Sequence, residues 1–372
     1  MDVIEELKAV RGRDIPYSRV LSSMCTVPHP VAAEAHSLFI ETNLGDPGIF
    51  VGTMELEKKV ISMLGRLLGN KNAAGYISSG GTEANIQGIR AARNLKKVDK
   101  PNIVIPKSAH FSFEKIGDIL GVEIRRAKLD ENYCVDVSEV EKLVDDNTVA
   151  LVGIAGTTEL GQVDDIKELG KIAEDQNVFL HIDAAFGGLV LPFLDEKVPF
   201  DFEVRAVSSI TVDPHKMGMA TIPAGGILFR DETFLKALEV ETPYLTTRFQ
   251  YTLTGTRPGT GVASTYAVLK HLGYDGMKGI VRECLRNTRT LVEEMKTLGF
   301  EPVVEPVMNV VSFHARDASR LKDELYRRRW VISTIREPEA IRMVIMPHVN
   351  EEMIKEFISD FRQMLIRLGY LS

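Results

Sequence analysis

Val178-Phe179-Leu180-His181-Ile182-Asp183-Ala184-Ala185-Phe186-Gly187-Gly188 is an apolar run that ends in a carboxylate and then in small residues. A run with no polar alternation reads as a strand covered on both faces, and such strands belong to mostly parallel sheets. Outward from it, similar runs stand at residues 102–105, 149–154, 207–212 and 226–229. Helical patterns near 83–93, 111–120, 137–144 and 164–175 separate them, and an earlier one over 55–68 stops at Gly69. Alternation of this kind predicts an α/β, doubly wound architecture.

After a long helical pattern at 277–298 the rhythm changes. Residues 307–313, 330–335 and 341–345 read as strands and 318–328 and 351–369 as helices, which predicts a small C-terminal α+β domain. The first fifty residues are punctuated by Pro16, Pro28, Pro30 and Pro47 and read as an arm that would wrap a neighbour. The expected organisation is therefore an arm (1–50), a large domain (51–275) and a small domain (276–372).

The 372 residues are 44% hydrophobic and 26% charged, enough apolar material for a sizeable core. A net charge of −7 with both signs mixed argues against a general nucleic-acid or anionic-membrane binder. No apolar stretch approaches the ~18 residues of a membrane span. Cys25, Cys134 and Cys284 are odd in number and far apart, and the opening residues lack a secretory pattern, so a cytoplasmic location is expected. His29 and His36 have no metal-ligand spacing with other groups, and no metal is expected.

Three segments carry chemistry. Ser78-Ser79-Gly80-Gly81-Thr82-Glu83-Ala84-Asn85 follows a strand-like piece and opens a helix, where two glycines, exposed N–H groups and the helix dipole favour an anion. It is neither GxGxxG nor GxxxxGK[ST], and a plain strand–helix turn would look much the same. Asp183 stands at the carboxyl end of a strand, where open α/β sheets bind ligands, and suits a flat ligand with a positive nitrogen; capping the next helix is the alternative. Ser208-Ser209-Ile210-Thr211-Val212-Asp213-Pro214-His215-Lys216 ends another strand in a lysine, which is either an ordinary solvated amine or a nucleophile for a Schiff base. An anion cradle, an acid and a lysine together match the phosphate, ring nitrogen and aldehyde of pyridoxal phosphate.

On Ser79-Gly80-Gly81-Thr82-Glu83-Ala84-Asn85, His110, His181-Ile182-Asp183-Ala184-Ala185 and Asp213-Pro214-His215-Lys216 the chain resembles the group II pyridoxal-phosphate-dependent amino-acid decarboxylases. Asp46-Pro47-Gly48, the Gly-Thr-Thr-Glu-Leu-Gly run at 156–161, Gly255-Thr256-Arg257-Pro258-Gly259 and Met346-Pro347-His348 are similar to the archaeal L-tyrosine/L-aspartate decarboxylase branch. The resemblance spans nearly the whole chain. It implies pyridoxal-phosphate fold type I (aspartate-aminotransferase-like) and a homodimer with shared sites. The implied reaction converts an L-amino acid to its amine and CO2: L-tyrosine to tyramine for methanofuran synthesis, L-aspartate to β-alanine for coenzyme A synthesis, or both.

Carried over by matching motif, the resemblance implies that Lys216 binds the cofactor covalently and Asp183 holds its ring nitrogen. His110 would stack on one ring face and Ala185 would lie beneath the other. Gly81, Thr82 and His215 would meet the phosphate, with Ser209 a weaker candidate; Thr157 would sit near the ring. Thr256 would reach the phosphate from a partner subunit, and Arg342 would bind the substrate carboxylate, unless it is a surface arginine on an edge strand. Tyr244, in a polar stretch that reads as a mobile loop, would protonate Cα after CO2 leaves, with Tyr251 as runner-up. The competing readings are aldehyde-lyase or aminotransferase chemistry on the same fold and a non-catalytic phosphate-ligand-binding oligomer, against which intact Lys216 and Asp183 argue.

Overall fold

The computed structural model describes residues 2–371. Seven strands form the main sheet: β1 (Ala74–Ser78), β2 (Asn102–Pro106), β3 (Glu123–Ala127), β4 (Thr148–Ile154), β5 (Phe179–Asp183), β6 (Val207–Val212) and β7 (Gly225–Phe229). Their order is β1-β7-β6-β5-β4-β2-β3. All pairings are parallel except those of β7, which runs antiparallel to both β1 and β6. The sheet is thus the mostly parallel α/β sheet the sequence predicts, with one reversed strand. Strands β2, β4, β6 and β7 are buried along their whole length, because helices cover both faces.

Two apolar clusters fix those helices. Ile86, Ile89 and Ala92 of the helix Gly81–Leu95 pack with Phe113 and Ile116 of the helix Ser112–Leu120 against Ile103, Ile105, Val149 and Val152. Ala84 and Ala91, on another side of Gly81–Leu95, pack with Tyr76, Ile227, Phe229, Phe234 and Leu238. The helix that starts at the glycine turn is therefore packed onto the sheet along its length.

The chain divides into two compact units. One is Pro28–Arg282, which holds the main sheet. A two-residue hairpin in it, β8 (Val240–Glu241) with β9 (Phe249–Gln250), carries an exposed connection at residues 242–248. The other unit joins the described residues up to Val27 to those from Glu283 on. Its sheet is β10 (Val310–His314), β12 (Ala340–Val344) and β11 (Ser333–Ile335), antiparallel, with β12 in the middle. Trp330, Phe313, Phe357 and Phe361 anchor its core, and Leu21 joins it, donating to Val331 and accepting from Val344 through the backbone. Arg342 lies on β12, so the edge-strand alternative is corrected: it is 6% exposed on the central strand, with its guanidinium donating to the Ser22 carbonyl at 3.1 Å and the Ser333 hydroxyl at 3.0 Å.

Among the described residues, no helix is long and apolar enough to cross a membrane, and no group of three or more His, Cys, Asp and Glu could hold a metal ion.

Candidate active site

The carboxyl ends of β1, β5 and β6 bring together the three segments singled out in the sequence. After β1, the helix Gly81–Leu95 begins with no side-chain cap, so the first-turn N–H groups are left for another acceptor. Glu83 braces the turn from below: its buried carboxylate accepts from the Ser79 N–H and the Tyr76 hydroxyl, each at 2.8 Å. A Cβ placed on Gly81 would lie 2.9 Å from Asp213 Oδ2 and 3.2 Å from Ala185 Cβ. The turn, the end of β5 and the end of β6 therefore converge within one side chain's reach.

Asp183 ends β5 and is 7% exposed. Its Oδ1 accepts from the Ala185 N–H at 3.1 Å and its Oδ2 from Asn85 Nδ2 at 2.8 Å. Beyond β6, Lys216 Nζ stands 3.2 Å from Asp213 Oδ2, while Asp213 Oδ1 is buried without a hydrogen-bond partner. The His215 ring accepts the Ala224 N–H on Nδ1 at 3.1 Å, and its Nε2 is 3.7 Å from Asp213 Oδ2. Burial pulls its pKa down, with Asp213 opposing that shift and Lys216 adding to it. The neutral ring then carries its proton on Nε2, facing the site as a donor.

His110 follows β2. It accepts the Ser112 N–H on Nδ1 at 3.2 Å and packs on Phe111 with ring centroids 4.0 Å apart. Burial lowers its pKa; Asp183 and Asp213 pull upward, and Lys216 and Lys115 push down. It therefore shares one electrostatic neighbourhood with the lysine and both acids. Thr157, buried after β4, accepts the Gln162 N–H on its hydroxyl at 3.0 Å and keeps its own O–H to donate.

Other candidates lie elsewhere. The Ser209 hydroxyl is 2.8 Å from His181 Nδ1, inside a buried network rather than at the glycine turn. Tyr244 is 85% exposed, whereas Tyr251 packs on Tyr76 with ring centroids 5.9 Å apart. Thr256 is exposed beside Arg257, whose buried guanidinium forms a two-pronged ion pair with Glu57 at 2.7 and 3.0 Å and also donates to the Ile77 carbonyl. His348 is held by Thr26 at 2.8 Å and by the Val20 carbonyl at 2.9 Å. Sequence reasoning gave no role to Asp213, Asn85, Glu57 or Glu83. Asp213 and Asn85 stood inside quoted motifs, but spacing does not say which side chains face each other across strands.

The match to a family model for the pyridoxal-dependent decarboxylase conserved domain runs over residues 29–316. The chain belongs to the pyridoxal-dependent decarboxylase family. It is 72% identical over 367 residues to a probable L-aspartate decarboxylase of Archaeoglobus fulgidus, covering 99% of this chain and 100% of that protein. It is 54% identical to a probable L-tyrosine/L-aspartate decarboxylase of Methanothrix thermoacetophila, covering 98% and 96%. Its fold is similar to that of a glutamate decarboxylase of Lactobacillus brevis, with a TM-score of 0.90 at 23% identity over 100% of this chain and 94% of that one. The protein is a pyridoxal-phosphate-dependent amino-acid decarboxylase. The donor set fits that cofactor: an uncapped helix start for a phosphate, a buried carboxylate for a ring nitrogen, and a lysine on the same sheet edge.

Proposed function

We propose that this decarboxylase converts L-aspartate to β-alanine and CO2, with L-tyrosine as its second substrate. The observation that supports aspartate first is the 72% identity, along essentially the whole chain, to a protein bearing that name, against 54% to one named for both amino acids.

In this reading Lys216 holds the cofactor, and Asp213 at 3.2 Å pins its ammonium whenever the amine is free. Asp183 holds the ring nitrogen in its protonated form, and the two donors on its oxygens keep the carboxylate from rotating. Gly81, Thr82 and the Nε2 proton of His215 take the phosphate. His110 and Ala185 bound the two ring faces, His110 as a neutral imidazole because burial disfavours its charge. Thr157 offers its hydroxyl near the ring. The chemistry the bound cofactor supplies is an electron sink for the pair left on Cα when CO2 departs. Tyr244 then delivers the proton to Cα from its exposed loop.

The protein works as a homodimer in this proposal. Leu38, Ile40, Ile49, Val51, Phe111 and Tyr244 are each more than half exposed in one unit, apolar side chains that a partner subunit would cover. Thr256 and Tyr244 would serve the partner's site, so mixing inactive Lys216→Ala with a Tyr244→Phe, Thr256→Ala double variant should restore wild-type sites in mixed dimers. A role for Arg342 toward the substrate carboxylate is tested by Arg342→Lys, which keeps the charge, loses the fork and should lower kcat/KM.

The deciding experiment incubates the purified protein with a panel of L-amino acids and measures CO2 and amine. β-Alanine from aspartate at the highest kcat/KM supports the proposal. Higher kcat/KM for another amino acid overturns the substrate, and an oxo acid without CO2 would redirect the chemistry.

A further inference from the structure

Behind Asp183 lies a buried polar chain to which the roles above give no work. Asn85, 1% exposed on the helix Gly81–Leu95, donates through Nδ2 to Asp183 Oδ2 at 2.8 Å and to Ser112 Oγ at 3.2 Å. Its Oδ1 accepts from the Thr211 hydroxyl at 2.7 Å and lies 3.0 Å from His181 Nε2. His181 Nδ1 is in turn 2.8 Å from Ser209 Oγ. The His181 ring fits beneath the helix because residue 88 is glycine: a Cβ there would lie 2.5 Å from Nδ1.

These contacts fix every proton. Turning the Asn85 amide over would press its oxygen against the Asp183 carboxylate, acceptor against acceptor, so Nδ2 must face Asp183 and Oδ1 must face His181 and Thr211. Burial pushes the His181 pKa down to about 4, so the ring is neutral and carries one N–H. That proton is on Nε2, toward Asn85 Oδ1, and Nδ1 accepts from Ser209. The donors therefore run in one direction, Ser209 to His181 to Asn85 to Asp183, an arrangement in which each bond polarises the next. Every group in the chain behind the carboxylate is neutral, so the carboxylate is oriented from behind without being neutralised there.

We propose that Asn85 is a positioning residue for Asp183, with His181 and Thr211 holding its amide in the one working orientation. The inference rests on the reading that Asp183 grips the cofactor's ring nitrogen. Without Asn85, one oxygen of Asp183 loses its donor and the carboxylate can turn away from the ring. With Asn85 in place, its unused lone pairs point at the site in every molecule.

The test compares Asn85→Leu, Thr211→Val and Asp183→Asn with the wild type, each reconstituted with pyridoxal phosphate. Three quantities are read: the cofactor dissociation constant, the pH midpoint of the bound-cofactor absorbance, and kcat and KM separately. Asn85→Leu should lower kcat and weaken cofactor binding by about ten- to a hundredfold, the scale of one hydrogen bond to a charged group, with KM little changed. Its absorbance midpoint should move in the same direction as that of Asp183→Asn. Thr211→Val, which removes one support of the amide, should shift the same readouts less, and it decides alone if Asn85→Leu does not fold. A folded Asn85→Leu with the wild-type midpoint and cofactor affinity, beside an Asp183→Asn that alters both, overturns the positioning role and leaves the reading of Asp183 intact. An Asp183→Asn that alters neither overturns that reading, and the positioning role with it.

Discussion

The strand ends that carry Asp183 and Lys216 and the hairpin connection that carries Tyr244 are built on opposite principles. Asp183, Asp213, His181 and Asn85 are buried, and Asn85 ties its helix to Asp183 and His181 of β5. Residues 242–248 are largely exposed: Thr242 bridges locally to Thr247 and Arg248, and the exposed Thr246 is bonded to Asp46 and Gly48 of a distant loop. Groups that must keep a fixed geometry sit where packing holds them; a group proposed to act once, after CO2 has left, sits on an exposed connection.

The hardest blow to the rigid half is Lys216→Ala. It should lower kcat by roughly 10³-fold or more, because a lysine proposed to hold the cofactor covalently works as a unit with its site. Borohydride treatment should fix cofactor to Lys216 in the wild type and to no lysine in the variant. Peptide mapping that found the adduct elsewhere would move the site off this strand end.

The Glu57–Arg257 pair joins the two regions, since Arg257 follows the exposed Thr256 while its guanidinium holds the end of β1. Glu57→Gln leaves a buried cation without its counter-charge and should cost about 3–5 kcal/mol of unfolding free energy. A denaturation curve within about 0.5 kcal/mol of wild type would show that the base of the loop is not anchored there.

Acidification probes the buried cluster through two groups of opposite sign. His181 titrates at about 4 in the folded chain against an ordinary 6.5, so the unfolded chain binds the proton first and stability falls as pH drops through this window, by about 3 kcal/mol in all. Asp164, buried while accepting two backbone N–H groups at 2.7 Å, is raised to about 6 from 3.8, so its contribution is full below 3.8 and is lost as pH rises through 6, again by about 3 kcal/mol. The two slopes oppose each other between pH 4 and 6. Asp164→Asn removes one of them, so its stability should fall more steeply on acidification than the wild type's. Parallel curves would show that Asp164 does not titrate with the raised pKa that its burial sets.

The smallest effect is expected at the exposed hairpin connection. Tyr244→Phe should still bind substrate and release CO2, while part of the flux ends as aldehyde with the cofactor left in its amine form. An unchanged amine yield and rate would pass the donor role to Tyr251, whose packing on Tyr76 gives it far less room to move.

Strands buried on both faces were legible because their apolar runs have no other explanation, and the lysine and acid were legible because each ends such a run. Strand β3 was not legible, since three of its five residues on this edge strand, Glu123, Arg125 and Arg126, are charged and leave no apolar run. The helix Pro30–Leu38 was missed inside a proline-punctuated segment, although a proline at its first position is a start signal. Arg342 was readable as a functional candidate but not as a central-strand residue, because strand order is decided by pairing between distant segments. The Asn85 amide shows the same limit: its partners are 27, 96, 98 and 126 residues away along the chain.

Strand order also dictates when the site can exist during synthesis. Strand β1, which leads into the glycine turn, has a single neighbour in the sheet, β7, which is made some 150 residues later. As the chain leaves the ribosome, β2 to β6 can pair among themselves while β1 waits, and only the emergence of residues 225–229 gives it a place. A nascent chain halted before β7 should carry both Asp183 and Lys216 yet fail to take up cofactor, which makes the last strand of the sheet the assembly checkpoint for the enzyme.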